Sequence, residues 1–267
     1  MNLMKRNRKS GITLVMAICL ALSTTAYARV TGQFHKSFKL ESNGTVVLKN
    51  VNGNAVIKVW DRNEVEIDAV KYADNKEELK DLDIEVTSTD GSVNIATKYP
   101  DEGNNNHGSG LGVDYTITVP RKANLHDVRI VNGKITVDGV EGRVTASTVN
   151  GVIQASGLEQ GCELRTVNGK VSADFNVLPA DADVKMESVN GPLVVTLPQN
   201  SAASIKARVT TGSISNEFGL ETYNEQHPES FVKVGDSLNG KLGNGAASIT
   251  LSVVNGSIRI LKSGSEN

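Results

Sequence analysis

The chain has 267 residues, with 28 Lys or Arg against 30 Asp or Glu and a formal net charge of −2, so it has no basic surplus for nonspecific binding to nucleic acid. Aromatics make up 4% of it and glycine accounts for 25 residues. A core of bulky rings is therefore excluded, and thin layers of small and β-branched aliphatics are favoured.

Residues 1–28 read as an export signal. Lys5, Arg6, Arg8 and Lys9 give a positive start, Ile12 to Leu22 an uncharged apolar run, and Ala26-Tyr27-Ala28 a cleavage site. The apolar run has 11 residues, whereas a membrane-spanning helix needs about 20. It is expected to be removed, leaving a chain that does not span a membrane, with 24 basic and 30 acidic residues. The expected location is exported, either periplasmic or secreted to the cell surface. Only Cys162 remains after cleavage, so no disulfide can form within the mature chain.

Residues 29–267 read as one domain built on a repeat. Eight units align on Asn52, Asp90, Asn132, Asn150, Asn168, Asn190, Thr211 and Asn255, each followed by glycine. The spacings are 38, 42, 18, 18, 22, 21 and 44 residues, and the long ones suggest doubled periods holding weaker units or insertions. Four residues before the aligned position stand Leu48, Val86, Val128, Ala146, Leu164, Met186, Ala207 and Leu251, all apolar. Six before stand mostly apolar residues, with His126 the exception. Three before stand only polar ones. After the turn, the third residue is again apolar throughout, from Ala55 to Ile258. Such period-two alternation on both sides of a turn means two short, half-buried strands per unit.

Asn-Gly favours a two-residue hairpin, but the residue before it is Val51, Val131, Val149, Val167, Val189 or Val254 in most copies. A bend at this place would let that valine point inward, which favours a corner over a hairpin. The expectation is an all-β, single-chain parallel β-solenoid, or β-helix, with rungs of about 18–22 residues. Its structural corners would be Asn52-Gly53, Asn132-Gly133, Asn150-Gly151, Asn168-Gly169, Asn190-Gly191 and Asn255-Gly256, with the asparagines stacking along the axis. Insertions are expected near 71–82, where KYADNKEELKDL has helical composition, near 99–112, and near 216–243.

The TVNG and SVNG units, and above all GKLGNGAASITLSVVNGSIRI at 240–260, resemble the bacterial putative-adhesin family of β-strand-repeat proteins of undefined function, over roughly residues 38–262. The resemblance implies an exported or envelope-associated β-solenoid and supplies no catalytic residues. The chain is expected to differ from many relatives in lacking a membrane segment or appended regulatory domain.

Chemistry is sparse. GDSLNGKL at 235–242 fits GxxxxGK, but Leu242 stands where a phosphate loop needs Ser or Thr. The four histidines are scattered, Cys162 sits at a core position, and DEGNNNHGSG lacks the order of a calcium loop. No cofactor, metal or catalytic residue is expected. Asp127 and Glu163 would face outward two rungs apart, about 9.6 Å. That is marginal for an inverting glycosidase pair and too far for a retaining one, which leaves a carbohydrate-active β-helix enzyme as the alternative. Lys49, Arg129, Arg165 and Arg208 form an outward basic column that could meet an envelope polymer or protein. The leading expectation is an exported, non-catalytic, adhesin-like or structural protein of the cell envelope.

Overall fold

A computed structural model describes residues 29–100, 110–224 and 235–264. The expected export signal lies outside the described residues, as do residues 101–109 and 225–234 of the expected insertions.

The amino-terminal part turns back on itself. Strand β1 (Val30–Lys39) precedes β2 (Thr45–Asn52) and β3 (Ala55–Trp60), which meet at Asn52-Gly53; β4 (Glu64–Ala73) then runs antiparallel to β1. The helical stretch is shorter than expected. Helix α1 (Lys76–Asp81) begins at Asn75, whose side chain accepts from the Glu78 amide. Next, β5 (Asp83–Thr89) and β6 (Ser92–Lys98) pair antiparallel with Thr89 opposite Ser92, followed by β7 (Gly112–Pro120).

The regular part follows. Each incoming strand meets its outgoing partner at a corner: β8 (Asn124–Asn132) and β9 (Ile135–Asp138), β10 (Val144–Asn150) and β11 (Ile153–Leu158), β12 (Cys162–Asn168) and β13 (Val171–Phe175), β14 (Asp183–Asn190) and β15 (Leu193–Leu197). Strand β16 (Ala203–Asn216) passes through its corner unbroken; β17 (Tyr223–Asn224) and β18 (Asp236–Leu242) precede β19 (Ala247–Lys262), which also crosses its corner unbroken.

All 19 strands belong to one mixed sheet that curls nearly closed around a single apolar core. The incoming strands pair in parallel in the spatial order β6, β2, β8, β10, β12, β14, β19, β16, and the outgoing ones in the order β7, β3, β9, β11, β13, β15, β19, β16. Antiparallel pairs flank both runs: β1 with β4, β4 with β7, β5 with β6, β16 with β18, and β17 with β18.

The expected parallel β-solenoid is therefore corrected to a mixed, nearly closed all-β wall. Of the long intervals in the repeat, the first holds antiparallel β4 and β5 and the last antiparallel β17 and β18, whereas the one between Asp90 and Asn132 holds β6 and β7, which pair parallel with β2 and β3 as a further rung. The unit at Asp90 is a two-residue hairpin connection, and the carboxy-terminal strand β19 enters between β14 and β16. Alternation records only which face each side chain takes, and that parity is the same for parallel and antiparallel neighbours.

Inward positions agree with the sequence. Leu48, Val128, Leu164, Met186 and Leu251 are buried, as are Ile135, Ile153, Val171, Leu193 and Ile258 after the corner. Burying one such aliphatic side chain contributes about 1.5–3 kcal/mol. His126 departs from the pattern. Strand β8 bulges, so that Leu125 and Val128 face the residues that Val144 and Ala146 present, and His126 is exposed.

The corner glycines have a steric cause. A Cβ on Gly133 would run into the Gly53 carbonyl, on Gly151 into that of Gly133, on Gly169 into that of Gly151, and on Gly191 into that of Gly169. Successive turns are in backbone contact, and only hydrogen fits between them. Across the same gap Gly133 donates its amide to Asn150, Gly151 to Asn168 and Gly169 to Asn190, at 2.8–3.0 Å.

Candidate functional site: the outward face of the corner strands

Because β10, β12 and β14 run extended as far as their asparagines, alternation continues through the residue before each corner. The valines at that place consequently point out, contrary to the expectation from the sequence. Val149 is 40% exposed, Val167 38%, Val189 40% and Val254 42%. Thr148, Thr166 and Ser188 take the inward place, each buried, with the hydroxyl 3.4 Å from the carbonyl oxygen of Gly133, Gly151 and Gly169 respectively.

The outward face thus carries three parallel columns. Nearest the corner, the asparagine amides form a chain in which Asn132 donates to Asn52, Asn150 to Asn132, Asn168 to Asn150, Asn190 to Asn168 and Asn255 to Asn190, at 2.8–3.0 Å. The corner residues named from the sequence are all brought together this way. Beside them run the valines. The third column holds, in spatial order, Lys49, Arg129, Ser147, Arg165, Glu187, Ser252 and Arg208. All four residues of the expected basic column lie in it, although Ser252 separates Glu187 from Arg208.

Ion pairing largely neutralises the middle of that column. Arg129 lies 3.3 Å from Asp127, while Arg165 contacts Glu163 and lies 2.6 Å from Glu187, which also meets Lys185 at 3.1 Å. Burial opposes ionisation of Glu187, but hydrogen bonds from Lys185 and Arg165 outweigh it and hold its carboxyl below the usual carboxylate range. The hydrogen bond to Glu187 in turn holds the Arg165 guanidinium more firmly protonated.

Between the valine and charged columns lies an open groove of about 540 Å³, walled by valines on one side and by Arg129, Arg165 and Glu187 on the other. Neither Asp127 nor Glu163 lines it. Each carboxylate pairs with the arginine two residues further along its own strand, so the two do not converge on a shared cleft.

The remaining chemistry is structural. Cys162 is fully buried, and burial pushes its thiol up to about 12. Asp236–Leu242 of GDSLNGKL forms β18, a strand paired with β16, in place of a phosphate loop. Among the described residues no three His, Cys, Asp or Glu side chains gather to hold a metal ion, and no helix is long and apolar enough to cross a membrane. The exposed valines are what sequence reasoning missed. Strict alternation, carried one residue further, would have found them.

No family model and no curated protein matches the chain. Among solved structures, it is similar to a "putative cell adhesion protein" from Clostridium sporogenes, at 17% identity and a TM-score of 0.49, covering 86% of this chain and 100% of that one. It is also similar to a "putative adhesin" from Bacteroides fragilis (13% identity, TM-score 0.37, 86% and 97% covered) and to a "putative lipid binding protein" from Parabacteroides distasonis (12%, 0.27, 86% and 96%). At these identities and scores, the likenesses assign neither a partner nor an activity.

Proposed function

We propose that this chain is a non-catalytic, adhesin-like or structural protein exported to the cell envelope, and that it meets its partner through the outward face of the corner strands. The observation that carries this reading is the run of exposed valines on four adjacent strands, Val149, Val167, Val189 and Val254. Isolated apolar residues on a surface need no explanation, whereas a contiguous apolar strip rimmed by polar groups marks a place where surface is meant to be covered. The rim supplies orientation more than attraction, because Arg129 and Arg165 already have acidic partners.

The test is fractionation of cells producing the chain with Val149→Asp, Val167→Asp and Val189→Asp combined. Retention with the envelope should be lost while the far-ultraviolet circular dichroism stays unchanged; full retention would refute the contact-face assignment. Turnover of any envelope glycan that is abolished by Asp127→Asn or Glu163→Gln would instead establish an enzyme.

A further inference from the structure

The same face is self-complementary, and we propose that its occupant is a second copy of this chain. The inference rests on the contact-face reading above and commits it to one partner. Four adjacent strands carry the pattern. On β10 the outward residues are Thr145, Ser147 and Val149, and on β19, three places along, they are Thr250, Ser252 and Val254: the same three residue types at the same register. The two strands between them carry Glu163, Arg165 and Val167 on β12, and Lys185, Glu187 and Val189 on β14. Glu163 is matched in register by Lys185, and Arg165 by Glu187, so the charges invert from one strand to the next.

A two-fold axis lying in this face, parallel to the strands and midway between β12 and β14, therefore places unlike charges opposite each other throughout the centre. Arg165 of one copy meets Glu187 of the other, and Glu163 meets Lys185, each twice. Val167 meets Val189, Val149 meets Val254, and Ser147 meets Ser252. This is the isologous arrangement that a closed dimer requires, in which one patch serves both sides. One strand further out the match becomes mixed. Asp127 would oppose Lys206, but Arg129 would oppose Arg208, so the complementary patch is limited to four strands. With strands about 4.8 Å apart and a five-residue reach of about 17 Å, it covers on the order of 300 Å² per copy. Stable complexes bury about 800 Å² per partner. The pair is accordingly weak in solution and gains from crowding many copies on one surface.

Sedimentation equilibrium of the purified chain, from micromolar to millimolar, reads the association directly. The wild-type chain should approach dimer mass at the upper end and revert toward monomer in high salt. Arg165→Glu alone and Glu187→Arg alone should each weaken association at least about tenfold, because each puts like charges across the axis. An equimolar mixture of the two variants restores every opposite pair and should associate about as well as wild type. Mixing cannot repair a fold within either chain, so recovery in the mixture isolates contact between copies. Monomer at every concentration overturns the proposal, and so does association that ignores the single reversals or a mixture no better than its components. If the chain stays monomeric but its envelope retention still depends on the valines, the contact-face reading stands and the second copy falls.

Discussion

Two glycines that occupy the same place in the repeat should respond very unequally to alanine. Gly169 sits at φ +147°, and a Cβ there would overlap the Gly151 carbonyl group, with the carbonyl carbon itself at 2.8 Å. Accommodating the methyl means separating turns that are joined by the Gly151 amide to the Asn168 carbonyl at 2.9 Å and by the Asn168 side-chain amide to the Asn150 side chain at 2.8 Å. Losing two such bonds costs about 1–3 kcal/mol, and holding a non-glycine residue in a sparsely populated backbone region costs about 1–3 more. Gly169→Ala should therefore destabilise by about 2–6 kcal/mol. Gly91, its counterpart by alignment, lies in the hairpin connection with nothing within 4 Å of the Cβ position, so Gly91→Ala should stay within about 0.5 kcal/mol. Urea unfolding followed by circular dichroism compares the two. Equal effects would refute the claim that one glycine packs against a neighbouring turn while the other does not.

Leu164→Ala should cost about 2–5 kcal/mol as a cavity in a fully buried site, against about 0.5 for the exposed Arg165→Ala; denaturant midpoints with unchanged slopes would show it, and reversed magnitudes would contradict the inward assignment. Asn168→Ala removes the amide bonds to Asn150 and from Asn190, and should cost about 1–2 kcal/mol in the same assay, since both orphaned groups can turn to water. Cys162 should stay unreactive toward a thiol reagent at pH 8 until the chain unfolds; rapid labelling of the native protein would contradict its burial. Its raised pKa also makes stability depend on pH. The thiol is neutral in both states below the unfolded value of 9, so the contribution is complete there and is lost as pH rises from 9 toward 12. A Cys162→Ala chain, compared with wild type over that range, should lack this component.

Much of the regular part was legible in the sequence, because alternation fixes which side chains face the core regardless of how strands are joined. Leu164 and Val171 are inward as expected, and the asparagines at the corners do line up. Spatial order was not legible. Outward Thr, Ser and Val recur at the same register in β10 and β19, and nothing local to β19 says that it lies beside β14 ahead of β16. Asp90-Gly91 reads like the other corners because a turn dipeptide serves a hairpin and a corner equally well. His126 was misplaced by the one-residue bulge in β8, which shifts the alternation without leaving a mark in composition. Of the candidate face, the charged column was visible, but its neutralisation by Asp127, Glu163 and Glu187 depends on side chains brought together within and between strands.

Hydroxyl-radical footprinting of the protein, free at low concentration and in the envelope fraction, tests the contact face most directly. Val167 and Val189 should lose reactivity in the envelope fraction, while Val177, 52% exposed in the connection after β13, should keep its reactivity in both states. Equal labelling of Val167 and Val189 in the two states would contradict the assignment of this face.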